Sequence, residues 1–219
     1  MATASPPGAE QLNELPWVNL DQVGVRFDMD VRVEQGDLTL LGSNGTPVRF
    51  ANFRYDAQNR TAVWTLPVGT TLGNDRYTLV LSGGRDGVVG ADTGNFLDGE
   101  WADGADAFPS GDGTAGGDFR FGLNVLPGDV NRNGFVSSTD FGELQARSRF
   151  HRTASRPGTG PYAYTPFHDV NGDGIITNAD LTSVYARMGR ALPAPAPAPL
   201  PLAAPTATDD VFSQTPVLA

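Results

Sequence analysis

The sequence reads DVNRNGFVSSTD from Asp129 to Asp140 and DVNGDGIITNAD from Asp169 to Asp180. Both copies carry oxygen-bearing side chains at loop positions 1, 3, 5, 9 and 12, and glycine at position 6. Calcium takes about six to eight oxygen ligands, and a twelve-residue loop supplies them at this spacing, with a backbone carbonyl from position 7. Glycine at position 6 permits the sharp turn around the ion. The repeat therefore predicts two calcium sites.

The predicted ligands are six in each loop. The first loop offers Asp129, Asn131, Asn133, the carbonyl of Phe135, Ser137 and Asp140. The second offers Asp169, Asn171, Asp173, the carbonyl of Ile175, Thr177 and Asp180. Either loop alone could be an Asx-rich turn without metal, but two copies that each precede a helical pattern favour the ions. Because the second loop has three carboxylates and the first has two, we expect the second loop to bind calcium more tightly.

Each loop leads into a helical pattern. In the second helix one apolar face is formed by Leu181, Val184, Tyr185 and Met188. Gly189 is placed to end that helix, and the first helix is expected to fray near Arg149. Position 8 of both loops is apolar, Val136 and Ile176. This predicts a short β contact between the two loops, with the calcium sites back to back.

The residues before the loops distinguish this module from a helix–loop–helix hand. Pro127 and Pro166 precede the two loops, so no regular helix is expected to enter either one. Position 12 is Asp in both copies, where calcium-sensor hands carry Glu. In these features residues 128–190 resemble dockerin modules of type I, which consist of two F-hand loop–helix motifs. We assign the calcium-binding domain to residues 127–190.

The resemblance also implies a protein partner. Dockerin modules dock into cohesin domains, and loop positions 10 and 11 face the partner. The corresponding residues here are Ser138, Thr139, Asn178 and Ala179. The two copies differ at these positions, so a symmetric, two-orientation mode of docking is not expected. The alternative for these four residues is a solvated surface beside a structural calcium site.

Residues 16–126 have the pattern of an all-β domain. Apolar residues alternate with polar ones from Val23 to Val33, which predicts one long strand with a buried face. Shorter strands are predicted at 38–41, 48–53, 62–66, 77–81 and 119–125. Strands 60–66 and 75–81 and the loop 92–99 resemble bacterial immunoglobulin-like modules. A β-barrel is the weaker alternative.

The chain is therefore predicted to be mainly β with a small α module: an Ig-like antiparallel β-sandwich followed by a dockerin-like pair of F-hand motifs. Residues 1–15 are polar and small and are expected to be a disordered lead. Residues 191–219, rich in proline and alanine, are expected to form a disordered tail.

Composition excludes several classes of function. The net charge of −10 disfavours nucleic acid and anionic membrane surfaces, because no basic stripe is present. The absence of cysteine excludes disulfides and thiol chemistry. No apolar stretch is long enough for a membrane span. Residues 1–16 do not read as a signal peptide, so the chain is expected to be the C-terminal piece of a longer extracellular or cell-surface protein.

Three functions remain open: a non-catalytic attachment module that tethers a secreted protein, a structural calcium-stabilised terminus of a large surface protein, and an appendage of a glycoside hydrolase. No catalytic constellation is expected within this chain. The acids at Asp92, Asp98, Glu100, Asp103 and Asp106 lie in a glycine-rich loop, where turn-capping roles are favoured. Trp17, Trp64 and Trp101 could form a carbohydrate-binding face, but core positions are the stronger expectation.

Overall fold

The computed structural model describes residues 8–195, which form a β-rich region followed by a small helical module. The strands of the described part are β1 Gln22–Arg26, β2 Val31–Arg32, β3 Leu38–Leu41, β4 Pro47–Val48, β5 Asn52–Asp56, β6 Thr61–Thr65, β7 Asp75–Leu81, β8 Val89–Gly90 and β9 Phe119–Val125. The helices are α1 Ser138–Ser148 and α2 Asn178–Tyr185. Neither helix is long and apolar enough to cross a membrane.

Two antiparallel sheets enclose the core of the β-rich region. One sheet has the order β1-β6-β5, the other β4-β3-β7-β9, and β2 pairs separately with β8. Alternation decides which face is buried: in β7, Tyr77, Leu79 and Leu81 point inward while Thr78 is exposed. Trp64 of β6 is completely buried and meets this layer from the other sheet. The structure thus confirms a β-rich region; its Ig-like character stays a prediction.

The long strand predicted from Val23 to Val33 is wrong. The chain breaks after β1, and β2 joins β8 instead of continuing beside β6. Asp30 explains the break, because its Oδ1 accepts the backbone N–H of Val31 at 3.1 Å and the hydroxyl of Tyr55 at 2.6 Å. The bond from Val31 is local and competes with the strand ladder, whereas the bond from Tyr55 comes from a distant residue on β5. The predicted strand 48–53 is also wrong, because its residues are divided between β4 and β5.

The structure also differs from the expectation of a disordered lead over residues 1–15. Residues 8–10 form a short 3₁₀ turn, and Gln11 is fully buried. Its side-chain amide donates to Asp103 and to the carbonyl of Gly122, and its oxygen accepts from Trp101 Nε1. A buried amide with these partners fixes the segment against the β-rich region. Residues 1–7 lie outside the described part.

The first residues of the proline-rich segment also pack. Asn74 Nδ2 donates to the carbonyl of Ala191 at 2.8 Å, and Arg76 Nε donates to that of Pro193 at 2.9 Å. Leu192 packs against the core of the helical module. The expected disordered tail therefore does not begin at residue 191. Residues 196–219 lie outside the described part of the chain.

Candidate metal centre

The first residue of each loop organises the turn around it. Asp129 accepts the backbone N–H groups of Asn133 at 3.1 Å and Gly134 at 2.8 Å. The second loop repeats this arrangement, since Asp169 accepts from Asp173 at 3.1 Å and from Gly174 at 2.8 Å. The glycines have φ of +86° and +88°, in the left-handed region where a side chain would be strained. The two loops, which repeat in sequence, therefore also have the same hydrogen bonds from their first residue.

Position 12 connects each loop to its helix. Asp140 accepts the backbone N–H of Asn131 at 3.2 Å and that of Ser137 at 2.9 Å. Ser137 in turn caps α1 by accepting from Thr139 N, so Ser137 and Asp140 form a capping box. Thr177 and Asp180 form the same box at α2. Each Asp at position 12 therefore closes its loop and starts its helix.

In each loop the first and last predicted ligands lie close together: Asp129 near Asp140, and Asp169 near Asp180. Burial is the main cause that raises the pKa of Asp129 and of Asp180, and the neighbouring carboxylates, Asp140 for the former and Asp169 and Asp173 for the latter, act in the same direction. In the first loop, the side-chain oxygen of Asn131 is buried and has no hydrogen-bond partner. A buried oxygen without a hydrogen-bond partner destabilises the fold unless an ion or a water molecule satisfies it. A cation at this point would do so.

The charges of the two loops also favour a bound cation. The carboxylates of Asp129, Asp140, Asp169 and Asp180 are each at most 3% exposed. Within residues 8–195 the contacts between basic and acidic side chains are the ion pair Arg120–Asp118 and a contact of the uncharged His168 ring with Glu143, so none of these four is neutralised by a basic side chain. Burial raises the pKa of Asp129 to about 6. Buried carboxylates are normally paired or bound to metal, and the all-oxygen ligand set fits calcium.

The predicted β contact between Val136 and Ile176 is wrong. Val136 N donates to the carbonyl of Arg190 at 2.8 Å, so the first loop pairs with the segment after α2. Ile176 N donates to the carbonyl of Arg152 at 3.1 Å, so the second loop pairs with the segment after α1. Both side chains are nevertheless buried in one shared core. Each loop is held by the segment that follows the other loop's helix.

Two residues before the second loop have buried environments that were not foreseen from the sequence, and one of them, Tyr164, supports the loop directly. Tyr164 donates its hydroxyl to Asp169 Oδ2 at 2.8 Å, and burial together with this bond raises the pKa of Tyr164. His168 is 6% exposed, and desolvation lowers its pKa to about 4, so its ring is neutral near neutral pH. Nothing in the local spacing singles out Tyr164, because the link from residue 151 to 167 has no regular pattern.

The residues predicted to contact a partner are accessible. Ser138 and Thr139 begin α1, Asn178 and Ala179 begin α2, and all four are exposed. Between the two helices lies an open, mainly apolar groove lined by Phe141, Asn178, Leu181, Thr182 and Tyr185. The predicted apolar face of α2 is therefore only partly buried: Val184 is in the core, whereas Tyr185 is 69% exposed.

Three acids of the glycine-rich loop accept backbone N–H groups, but only Asp106 does so within a local turn. Asp98 accepts the N–H groups of Asp112 and Gly113, both at 2.9 Å. Asp103 and Asp106 likewise accept backbone N–H groups within the β-rich region. The carboxylate oxygens of Asp98, Glu100 and Asp112 also lie within 4.8 Å of one another.

The tryptophans follow the stronger expectation of core positions. Trp17 is 6% exposed and Trp64 is fully buried. Trp101 is half-buried and stacks on Phe108 with ring centroids 4.7 Å apart.

Two loop–helix units with oxygen-only ligands and a shared core define a non-catalytic calcium-binding module. Residues 127–189 match the family model of the dockerin type I domain. This match confirms the family predicted for the C-terminal region, and dockerin type I domains bind calcium. The match does not extend to the β-rich region. No curated protein and no solved structure matches the chain at a significant level.

We expect Asp173→Asn to weaken the tighter of two calcium-binding steps by about tenfold, because it removes one of three carboxylates from the second loop. Calorimetric titration of the full chain measures both steps. Asp86→Asn, an exposed change of the same charge outside the loops, is the matched control. An unchanged tighter step in the Asp173 variant would contradict the assignment of that step to the second loop.

Proposed function

We propose that this chain is a non-catalytic attachment module of a secreted or cell-surface protein. The β-rich region acts as an Ig-like β-sandwich spacer over residues 16–126. Residues 127–190 act as a pair of F-hand motifs that bind two calcium ions and dock onto a partner. The observation that carries the proposal is the pair of matching loops with buried, unneutralised carboxylates inside a dockerin type I region.

The calcium ions supply folding free energy rather than a switch. Seven fully or almost fully buried apolar side chains form the core of the module: Leu126, Val130, Val136, Leu144, Val170, Ile176 and Val184. A core of this size is small for a region of this length. Metal binding therefore contributes directly to folding. No helix enters either loop, since β9 precedes the first and a 3₁₀ turn, Pro166–His168, precedes the second.

The partner is a cohesin domain, the class of protein to which dockerin domains bind. The docking surface consists of the first turns of α1 and α2 together with the groove between them. Ser138 and Thr139 on α1 are small and polar, whereas α2 carries Asn178 and Ala179 at the equivalent positions. Because the two turns differ, one orientation of docking is favoured, with the Ser-Thr turn at the centre of the contact.

Thr139→Arg should therefore reduce affinity for a cognate cohesin at least a hundredfold, because a long charged side chain would be forced into a desolvated contact. Ala179→Arg is the matched comparison, since it makes the same change at the equivalent exposed position of α2, at the edge of the contact, and it should cost about tenfold less affinity than Thr139→Arg. Biolayer interferometry against a panel of cohesins, with calcium and with chelator, provides the measurement. Equal losses in both variants would exclude the single orientation, and no binding to any cohesin would exclude docking.

A second candidate is a structural calcium-stabilised terminus of a large surface protein. It is favoured by the hydrogen bonds of residues 14–19 and 191–193, which connect the β-rich region to the calcium module. Such contacts are expected of a fixed terminal unit more than of a module on a flexible tether. A third candidate is the appendage of a glycoside hydrolase. The sequence upstream of this chain distinguishes them: a catalytic domain supports the appendage, and repeated β modules support the structural terminus.

A further inference from the structure

A short segment of the N-terminal part of the chain is built into the calcium module. Residues 14–19, here called the strap, run from the end of β9 to the second loop. Leu15 N donates to the carbonyl of Asn124 at 2.9 Å, and Leu126 N donates back to the carbonyl of Leu15 at 3.1 Å. Farther along, Val18 N donates to the carbonyl of Val170 at 3.0 Å. The side chain of Val18 packs against the core of the module.

The centre of the strap joins the two calcium loops. Trp17 donates its Nε1–H to the carbonyl of Pro166 at 2.9 Å and stacks on Phe167, with ring centroids 5.6 Å apart. The guanidinium of Arg132, from the first loop, lies 4.2 Å from the centre of the same Phe167 ring. Asn19 Nδ2 donates to the carbonyl of Asn171, at position 3 of the second loop, at 2.9 Å. The strap thus contacts or approaches both loops.

Glu14, at the start of the strap, lies beside the first loop. A Cβ atom added to Gly134 would be 3.6 Å from Glu14 Oε1, which places this carboxylate against loop position 6. Glu14 is half-buried at this position. The first loop has two carboxylates of its own, Asp129 and Asp140, against three in the second. A third negative charge therefore reaches the first loop from a distant part of the sequence.

We propose that Glu14 supplies the third carboxylate charge of the first calcium site, and that calcium binding is consequently a joint property of the strap and the module. This inference rests on calcium binding by the two loops. It requires an electrostatic contribution of Glu14 and no bond between Glu14 and the ion. A carboxylate near a divalent cation favours binding even from outside the ligand set, because the interaction falls only slowly with distance where solvent screening is incomplete.

The test is calorimetric calcium titration of the full chain carrying Glu14→Gln, which keeps the size and hydrogen-bonding shape of the side chain and removes its charge. We expect a three- to tenfold weaker first site, so that the gap between the two dissociation constants widens. Glu10→Gln, an exposed change four residues earlier, is the matched control and should have no effect. A purely electrostatic effect also shrinks at high salt, so the difference from wild type should fall by more than half in 0.5 M NaCl, where the Debye length is only about 4 Å.

The titrations distinguish the role of Glu14 from calcium binding by the module itself. Weakening in Glu14→Gln that is reduced by salt, with an unchanged Glu10→Gln control, supports it. Wild-type affinities in Glu14→Gln, or a weakening that salt does not change, overturn the role of Glu14 while leaving the calcium module intact. A wild-type chain that takes up no calcium overturns this inference together with the proposed function. Circular dichroism of the metal-free and loaded variants checks that each one folds.

Discussion

Chelating calcium should lower the unfolding temperature of the C-terminal module by more than 10 °C, or leave the module unfolded at room temperature. A ligand that binds only the folded state contributes about 4 kcal/mol per site at a concentration 1,000 times its dissociation constant. A change of 1 kcal/mol moves the midpoint of a 60–100-residue domain by roughly 4–8 °C. Two sites therefore account for most of the stability expected of so small a core.

Differential scanning calorimetry of the full chain, with calcium and with excess chelator, measures this change. Magnesium is the informative control, because it demands a smaller octahedral site than these loops offer and should restore little of the loss. The physical reason for the dependence is the burial of Asp129, Asp140, Asp169 and Asp180 without basic partners among the described residues. Identical melting with and without chelator would remove the basis of the calcium assignment and of the docking proposal.

Trp64→Ala should destabilise the β-rich region by about 3–5 kcal/mol, the usual cost of truncating a large buried aromatic residue. Trp64 is fully buried between the two sheets, and its ring lies 4.9 Å from that of Phe53. Its Nε1 donates to the carbonyl of Gln35 at 3.0 Å, so the substitution also leaves a backbone oxygen without its partner. The cavity and the lost hydrogen bond act in the same direction.

Urea denaturation, monitored by far-ultraviolet circular dichroism so that the signal does not depend on the removed tryptophan, gives the free energy of unfolding. Val68→Ala, at a fully exposed position of the same region, is the control and should change it by less than about 0.5 kcal/mol. Both measurements require saturating calcium, so that unfolding of the calcium module does not contribute to the transition measured for the β-rich region. A loss below about 1 kcal/mol for Trp64→Ala would show that the two sheets do not close over this residue as described.

The conformation of the two predicted calcium loops was largely predictable because the hydrogen bonds that form it are local. Those of Asp129 and Asp169 reach only four and five residues ahead. The helix starts are equally local, since each capping box spans four residues. Strands β3 and β9 were predicted with their observed limits, because short runs of apolar residues bounded by polar or turn residues predict them.

Errors arose where a distant partner decides the conformation. The alternation from Val23 to Val33 predicts one strand, yet the hydroxyl of Tyr55 and the separate partner β8 divide it. The apolar residue at loop position 8 predicts pairing between the loops, yet each loop finds the segment after the opposite helix. Gln11 looked like part of a polar lead, but its partners lie about 90 and more residues away. Local pattern contains no information about such partners.

The sequence by itself determined the two repeated loops, the starts of the helices that follow them and the β-rich character of the region before them, because each depends on residues a few positions apart. Only the tertiary structure decided that the strap joins the calcium module and that Glu14 lies beside the first loop. These contacts join residues more than 100 positions apart. Their formation depends on burial of Trp17 and Val18 against surfaces that exist only after both regions have folded.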